Sequence, residues 1–351
     1  MIDRDEIVAI LKTVTYPKSN QDILTLGTAR EIRVEQGRIA VNLELPGKDP
    51  GIKWIVEGRC KKALKERAPK AEIEVHVDIH TAEKDSPQPA SPIRRDLIPS
   101  VKFPIAVASG KGGVGKSTVA VNLAFSLAAA GKSVGLFDAD IHGPNIPRML
   151  GIEGKVPEAT EQRKIVPIER NGVRAMSIGL IARPDQAIIW RGPLIGKAIE
   201  KMLIDVVWGD LDYLIINLPP GTGDAQLTLS QRVSIAGAVM VTTPQSVALS
   251  DVRRGILMFR NVDVPILGLV ENMAYYACPT CGSREEIFPG RELEEMAREL
   301  SVDLLGRIPI DPRISSGGDS GDPIVLTDPD GEVGSAFKGI AKVVIDLTEN
   351  P

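Results

Sequence analysis

The stretch Ile105-Ala-Val-Ala-Ser-Gly-Lys-Gly-Gly-Val-Gly-Lys-Ser-Thr118 decides the fold of this 351-residue chain. An apolar, β-branched run leads into a glycine-rich loop, and the loop leads into residues 119–128, which have the composition of a helix. Residues 110–117 match the pattern G-x-x-x-x-G-K-[ST] in the strand–loop–helix setting that this motif requires. The sequence therefore predicts a phosphate loop that binds a nucleoside triphosphate.

Each residue type in the loop suits phosphate binding. Glycines let successive backbone N–H groups turn toward an anion, and the helix start adds the positive end of its dipole. We expect Lys116 to reach the β- and γ-phosphates and the Ser117 hydroxyl to ligate Mg²⁺. The predicted nucleotide-binding residues of the loop are Gly110, Lys111, Gly112, Gly113, Val114, Gly115, Lys116, Ser117 and Thr118.

Apolar segments alternate with helical segments throughout the chain after residue 100. They lie at residues 105–108, 134–137, 213–216, 238–241, 266–270 and 304–305. Continuous apolar strands between helices indicate a parallel sheet that is covered on both faces. The predicted fold class is therefore α/β, a P-loop NTPase with a mainly parallel sheet between helices.

The first part of the chain has a different pattern. Residues 32–34, 39–45 and 73–79 alternate as strands, and residues 5–13 and 51–65 look helical. Prolines and mixed charges then fill residues 83–99 without apolar periodicity. We therefore expect a small α+β domain over residues 1–81, a Pro-rich linker over 82–100 and the nucleotide-binding domain over 101–351.

Composition narrows the class of protein. Hydrophobic residues make up 43% and charged residues 25%, which is near the average for globular proteins. The net charge is −4 and no long basic run occurs, so nucleic acid is not an expected partner. The Met1 end is charged, and no stretch approaches about 18 uninterrupted apolar residues. We expect a cytoplasmic protein with no membrane partner.

Two of the three cysteines lie close together, in Cys278-Pro-Thr-Cys281. In a reducing compartment this spacing is typical of a metal-binding or redox pair. A tetrahedral zinc ion or a cubane cluster takes four ligands, and one chain offers two here. A two-fold dimer would supply four, because its axis places equivalent patches against each other. The third cysteine, Cys60, is interpreted as an ordinary semi-buried thiol on a helix of the first domain.

The loop contains a second lysine, Lys111, directly after its first glycine, and in this it resembles the deviant Walker A motif of the MinD/ParA ATPases. Together with three further motifs, residues 101–345 resemble the Mrp/ApbC family of iron–sulfur cluster carrier ATPases. The further motifs are Phe137-Asp-Ala-Asp-Ile-His-Gly-Pro-Asn145, Leu218-Pro-Pro-Gly-Thr-Gly-Asp224 and Cys278-Pro-Thr-Cys-Gly282. The first ninety or so residues resemble the small iron–sulfur-assembly-type domain that often precedes bacterial members.

This resemblance implies roles for individual residues. By this resemblance, Lys111 is expected to reach across a homodimer to the partner's nucleotide. Asp140 is expected to position the attacking water, and Asp138 to help organise the metal shell. Asn272 matches a position that contacts the purine base, although an Asn there could equally be a turn residue.

Asn217 departs from the family pattern. Family members usually carry the Walker B Asp at this position, where the carboxylate holds a water of the Mg²⁺ shell. An amide keeps the size and one acceptor oxygen but removes the charge. We therefore count Asn217 among the catalytic positions, with Lys111, Lys116 and Asp140, and expect ATP hydrolysis to be slow while nucleotide binding is spared.

The function implied by the resemblance is that of a homodimeric carrier that binds ATP and Mg²⁺. It would hold a [4Fe–4S] cluster between Cys278 and Cys281 of two subunits and pass it to apo iron–sulfur proteins, with assembly scaffolds as further partners. The alternatives are a MinD/ParA-type positioning ATPase and a zinc-bridged P-loop ATPase. A positioning ATPase needs a basic amphipathic tail or a basic DNA-binding face. The tail over residues 337–349 has only two lysines, so we expect it to be a helix packed on the domain.

Overall fold

Two separate hydrophobic cores divide the chain into two units, Met1–Ser91 and Pro92–Pro351. The structure is a computed structural model, and it describes residues 4–17, 22–26, 28–35, 38–46, 50–69, 71–80, 97–141, 143–181, 192–288 and 292–350. Most of the expected linker, residues 82–96, lies outside the described residues. The expected boundaries at 81, 82, 100 and 101 therefore stay predictions.

The first unit is a three-stranded sheet with helices. Its elements are α1 (Arg4–Leu11), α2 (Ile23–Leu26), β1 (Thr28–Glu35), β2 (Arg38–Pro46), α3 (Pro50–Arg67) and β3 (Glu72–His80). The strand order is β1-β2-β3, with β1 antiparallel and β3 parallel to β2. Helix α3 makes the crossover and turns Val56, Cys60 and Leu64 into the core at helical spacing. Cys60 has no exposed surface, and burial raises the pKa of its thiol to about 12, so it is more deeply buried than the sequence suggests.

The described strands of the second unit are β4 (Val101–Ser109), β5 (Val134–Asp138), β6 (Ile168–Arg170), β7 (Val173–Ser177), β8 (Leu211–Asn217), β9 (Gly237–Thr242), β10 (Ile266–Ala277), β11 (Arg284–Glu285) and β12 (Leu304–Ile310). They form one nine-stranded sheet, in the order β11-β10-β9-β4-β8-β5-β7-β6 with β12 also beside β10. The pairs that join β12, β10, β9, β4, β8, β5 and β7 are all parallel, and the short strands β6 and β11 pair antiparallel. The mainly parallel sheet expected from the apolar runs is confirmed.

Helices connect these strands and pack on the sheet. They are α4 (Lys116–Ala129), α5 (Ile146–Met149), a 3₁₀ turn (Ile178–Leu180), α6 (Gly192–Asp205), α7 (Asp224–Arg232), α8 (Ser246–Asn261), α9 (Glu292–Glu299), α10 (Pro312–Ser320), α11 (Ile324–Thr327) and α12 (Glu332–Glu349). The final helix, α12, buries Phe337, Ile340 and Val344 against β12 and α4, as expected for the tail. Among the described residues, no helix has the length and apolar character needed to cross a membrane.

The topology brings three strand ends together. In the sheet β8 lies between β4 and β5, and the register pairs Asn217 with Val107 on one side and with Asp138 on the other. Parallel strands end at a common edge, where open α/β sheets bind their ligands. The phosphate loop after β4, Asp138 at the end of β5 and Asn217 at the end of β8 therefore share one edge.

Strand β10 is longer than the sequence indicates. The apolar run predicts a strand over residues 266–270, but β10 continues to Ala277 through a register shift between Asn272 and Tyr276. Met273 takes a φ of 58° at this irregularity. A bulge lets a strand bend and still keep its neighbours. As a consequence, Cys278 follows directly on a strand of the central sheet.

Candidate functional site

The phosphate loop joins the end of β4 to the start of α4. Gly115 caps α4 with a φ of 83°, a left-handed conformation that favours glycine. A side chain at Gly115 would also collide with the Asn272 amide. The Ser109 hydroxyl donates to the Lys111 carbonyl at 2.9 Å and fixes the first turn of the loop. The loop borders a cavity of about 640 Å³ that is large enough for a nucleotide.

Five of the predicted site residues meet on one side of this cavity. Lys116 Nζ donates to Asn217 Oδ1 at 2.8 Å and to Asp140 Oδ2 at 3.2 Å. Asn217 Nδ2 donates to Asp138 Oδ1 at 3.0 Å and to Ser117 Oγ at 3.2 Å. The structure thus joins two residues of the phosphate loop to the ends of β5 and β8 in one hydrogen-bonded cluster.

Burial controls the charges of this cluster. Asp138 is 0% exposed, and burial raises the pKa of its carboxyl to about 6, although hydrogen bonds from Asn217 and Ser177 oppose the rise. Burial lowers the pKa of the Lys116 ammonium, and the nearby Asp140 opposes that change. A cation beside Asp138 would favour its ionised form. Ser117, Asp138 and Asn217 offer oxygen ligands, which suits Mg²⁺ held by a few protein oxygens and the phosphates of a nucleotide.

Lys111 stands apart from the cluster. It is half-buried and lines the same cavity. Among the described residues its ammonium group has no hydrogen-bond or salt-bridge partner. Its expected action on a second subunit's nucleotide stays a prediction.

Asn272 holds the phosphate loop through a hydrogen bond from β10. It lies within β10, is buried, and donates from Nδ2 to the Val114 carbonyl at 2.9 Å. Asn272 is therefore a strand residue and not a turn residue. Its expected contact with a purine base stays a prediction.

Gln226 of α7 holds the loop after β8, and the sequence reasoning missed it. The side chain is 1% exposed, and its Nε2 donates to the Pro219 carbonyl at 2.8 Å and to the Gly221 carbonyl at 2.9 Å. The Gly221 N–H in turn donates to the Ser109 carbonyl at 2.9 Å. Gln226 thus fixes a loop that faces the nucleotide cavity through Pro219 and Pro220. No residue spacing in the sequence signals this contact.

Two more charged residues that the sequence did not indicate line the nucleotide cavity. Arg148 belongs to α5 and Asp319 to α10, and their side chains form a salt bridge of 3.3 Å. They lie 171 positions apart in the chain. Only the folded topology brings them together.

The cysteine pair forms a tight turn at the end of β10. The Gly282 N–H donates to the Cys278 carbonyl at 2.8 Å, and the Cys278 N–H donates to the Ser283 carbonyl at 2.9 Å. Cys278 is half-buried and Cys281 is exposed. Cys281 Sγ lies 3.2 Å from Ser283 Oγ, and this hydrogen bond holds the pKa of the Cys281 thiol below its ordinary value. A lower pKa favours the thiolate, which is the form that binds metals.

A second cavity, of about 600 Å³, opens beside the cysteines. Cys278 lines it together with Arg284, Pro312, Arg313 and Glu332. Within the described part of the chain, no group of three or more His, Cys, Asp or Glu side chains is placed to hold a metal ion. The turn of residues 278–281 therefore offers two thiols from one chain.

A family model described as NUBPL iron-transfer P-loop NTPase matches residues 100–345. The chain belongs to the NUBPL iron-transfer P-loop NTPase family. A second model, described as iron–sulfur cluster assembly protein, matches residues 4–77. The two expected family resemblances, one for each part of the chain, are thereby confirmed.

Two relatives of this NUBPL-family chain are similar to it along nearly their whole length. An "Iron-sulfur cluster carrier protein" of Helicobacter pylori is 39% identical over 343 residues, which is 97% of this chain and 92% of the relative. A protein of the same name from Synechocystis sp. is 42% identical over 348 residues, 98% of this chain and 97% of the relative.

Solved structures agree with the fold of the NUBPL-family domain. The nucleotide-binding protein of Archaeoglobus fulgidus in complex with ADP is 38% identical with a TM-score of 0.60, and the match covers 70% of this chain and 96% of that one. The cell division ATPase MinD of Pyrococcus furiosus is 25% identical with a TM-score of 0.55, covering 70% and 99%. The expected MinD/ParA-like fold is confirmed.

Proposed function

We propose that this chain binds MgATP at the phosphate loop, carries a [4Fe–4S] cluster between two copies of itself, and delivers the cluster to apo iron–sulfur proteins. The observation that carries the proposal is the pair of accessible thiols, Cys278 and Cys281, in a family of iron-transfer NTPases. The thiols continue β10, and Asn272 of the same strand is bonded to the phosphate loop. One strand therefore connects the phosphate loop with the cysteine turn.

The hydrogen-bonded side chains around Lys116 support ATP hydrolysis, because Lys116 can exchange its present partners for the phosphates of ATP. In this structure the Lys116 ammonium bonds Asp140 and Asn217. The phosphates of bound MgATP would compete for that ammonium, because they carry more charge than either partner. Asp140 would then be free to accept a hydrogen bond from the attacking water and orient it. Asn217 contributes no charge to the Mg²⁺ shell, so we expect turnover to be slow.

Two separate features support a homodimer. A cubane cluster takes four thiolates, and each chain offers two. Lys111 lines the nucleotide cavity but pairs with no described group of its own chain. A two-fold axis would supply both the two further thiolates and a partner for Lys111, since each surface patch then faces its own copy.

Anaerobic reconstitution with iron and sulfide tests the cargo. The expected product has broad visible absorption and equal iron and sulfide contents, and it transfers the cluster to an apo iron–sulfur protein. Cys278→Ser and Cys281→Ser should each abolish the absorption and leave ATP binding intact. Cys60→Ala is the matched control, because that thiol lies in the core of the first unit. A cluster lost in the control and kept in the two serine variants would contradict the proposal, as would zinc bound in place of iron.

A further inference from the structure

Helix α10 forms part of the wall of both cavities. Its first turn, with Pro312 and Arg313, lines the cavity beside Cys278. Its later residues, including Ser315 and Asp319, line the nucleotide cavity. Since a short helix moves as one body, a displacement of α10 changes the surroundings of both sites.

The end of α10 near the cysteines is firmly tied. Asp311 caps the helix by accepting from the Arg313 N–H at 2.8 Å. The Arg313 guanidinium also bonds the Asp311 carboxylate at 2.6 Å and Asp328 Oδ2 at 2.6 Å. The bonds to Asp311 hold the arginine that lines the cysteine cavity to the helix start, and the bond to Asp328 joins it to the residue after α11.

An ion pair joins the other end of α10 to α5 at the nucleotide cavity. Arg148 lies eight residues after Asp140, and its Nη2 is 3.3 Å from Asp319 Oδ1. The backbones of α5 and α10 can approach because glycines meet where each helix ends: a side chain at Gly321 would collide with Gly151. This close approach brings the two charged side chains together across the cavity.

A triphosphate can compete for Arg148. The side chains of Arg148 and Asp319 are 58% and 66% exposed, so water and salt weaken their attraction. A phosphate group accepts two parallel hydrogen bonds from a guanidinium and carries more charge than a carboxylate. Arg148 can bond either to Asp319 or to the triphosphate. Bound triphosphate therefore shifts the population toward the state in which Arg148 has left Asp319.

We propose that Arg148 is a positioning residue that senses nucleotide: bound ATP draws its guanidinium away from Asp319, and the released α10 shifts the wall of the cysteine cavity. The inference rests on the proposed function only in taking ATP as the ligand of the phosphate loop. It requires no cluster. If cluster reconstitution fails, the proposed role of Arg148 is unaffected. If the test of Arg148 fails, the proposed cluster binding is unaffected.

Thiol accessibility in the cluster-free, full-length protein provides the test. The rate at which iodoacetamide alkylates Cys278, the thiol that lines the cysteine cavity, is followed by mass spectrometry, with and without Mg²⁺ and a saturating non-hydrolysable ATP analogue. We expect the analogue to change the rate by about fivefold or more, the lower end of typical coupling between sites. Asp319→Asn should show the analogue-bound rate even without the analogue, and should respond little when it is added.

Asp322→Asn is the matched control. Asp322 follows α10 and pairs with Arg170 at 3.2 Å in a similarly exposed salt bridge, but neither residue lines a cavity described above. This variant should respond to the analogue like the original protein. Equilibrium binding of the analogue is measured for all three proteins to establish saturation. A full response in Asp319→Asn, a lost response in Asp322→Asn, or no response in the original protein would each overturn the proposal.

Discussion

Replacing Asn217 by Asp tests how the metal side of the nucleotide cavity works. The amide is fully buried, and it accepts from Lys116 at 2.8 Å while donating to Asp138 at 3.0 Å and to Ser117 at 3.2 Å. The substitution keeps the shape of the side chain. It replaces the N–H donor that faces Asp138 with a second carboxylate oxygen.

The first expected effect is a new dependence on Mg²⁺. Two unit charges 3 Å apart repel by about 5 to 6 kcal/mol at an effective dielectric constant of about 20. Lys116 offsets part of this repulsion, since its ammonium would contact the new carboxylate. Without a metal the two acids are expected to share a proton, and Mg²⁺ should displace that proton. The variant should therefore gain more thermal stability from Mg²⁺ than the original protein does.

The second expected effect is on rate. Mg²⁺ spreads charge away from the β- and γ-oxygens as the terminal bond breaks, so the carboxylate that holds its shell contributes most in the transition state. A charge-assisted hydrogen bond is about twice as strong as a neutral one, which places the gain at roughly 1 to 3 kcal/mol, or about ten- to a hundredfold in kcat. ATP affinity should change little, because the phosphate loop and Lys116 also bind the ground state.

Steady-state phosphate release is measured for both forms beside equilibrium ATP binding and thermal unfolding, over a Mg²⁺ titration. Asn217→Ala provides a matched control that removes the amide without adding charge, and it should not be faster. If the Asp form is no faster at saturating Mg²⁺, residue 217 does not act on the metal. If Mg²⁺ raises the thermal stability of the Asp form no more than that of the original protein, the hydrogen bonds of residue 217 with Asp138 and Lys116 do not control Mg²⁺ binding.

Three further predictions address neighbouring groups. Lys116→Ala should weaken ATP binding by on the order of a hundredfold, since it removes a charged contact to the phosphates. Lys111→Ala should leave ATP binding to a single chain measurable and reduce ATP-dependent dimer formation. If calorimetry shows the same loss of ATP affinity in both variants, the two lysines do not have different roles. Gln226→Leu leaves two carbonyls of the loop after β8 without their donor, so kcat should fall by about tenfold while ADP affinity is kept. An equal loss of ADP affinity would count against a specific role for this loop in hydrolysis. Burial raises the pKa of Asp138 from 3.8 to about 6, so between these pH values the folded protein binds more protons than the unfolded chain. Without Mg²⁺, the free energy of unfolding should therefore fall by about 3 kcal/mol as pH rises through this range. Urea unfolding of Asp138→Asn should lack this component of the fall, and identical pH profiles for the two proteins would refute it.

The phosphate site was predictable because its signals are local or follow from topology. The glycine pattern lies in one continuous stretch, and Asp138 and Asn217 end apolar runs that must lie parallel in one sheet. The common edge of such a sheet then brings their side chains together. Contacts such as that of Gln226 with residues 219–221 obey no spacing rule, so the sequence alone does not show them.

The full length of β10 was not predictable, for a physical reason. Glu271 looks like the end of a strand, because a buried carboxylate is costly without a partner. In the structure Arg307 of β12 supplies that partner, with its Nε 2.6 Å from Glu271 Oε2. The partner lies 36 residues further along the chain. Pairing over that distance lets β10 continue and carry Cys278 to its position.

In the proposed function, two chains share one cluster through Cys278 and Cys281. Native mass spectrometry of the anaerobically reconstituted protein tests it most directly, since it weighs the chains and the inorganic atoms in the same particle. We expect two chains with one [4Fe–4S] cluster, and cluster-free single chains for Cys281→Ser. A complete cluster on a single chain, or a dimer of Cys281→Ser that keeps the cluster, would contradict it.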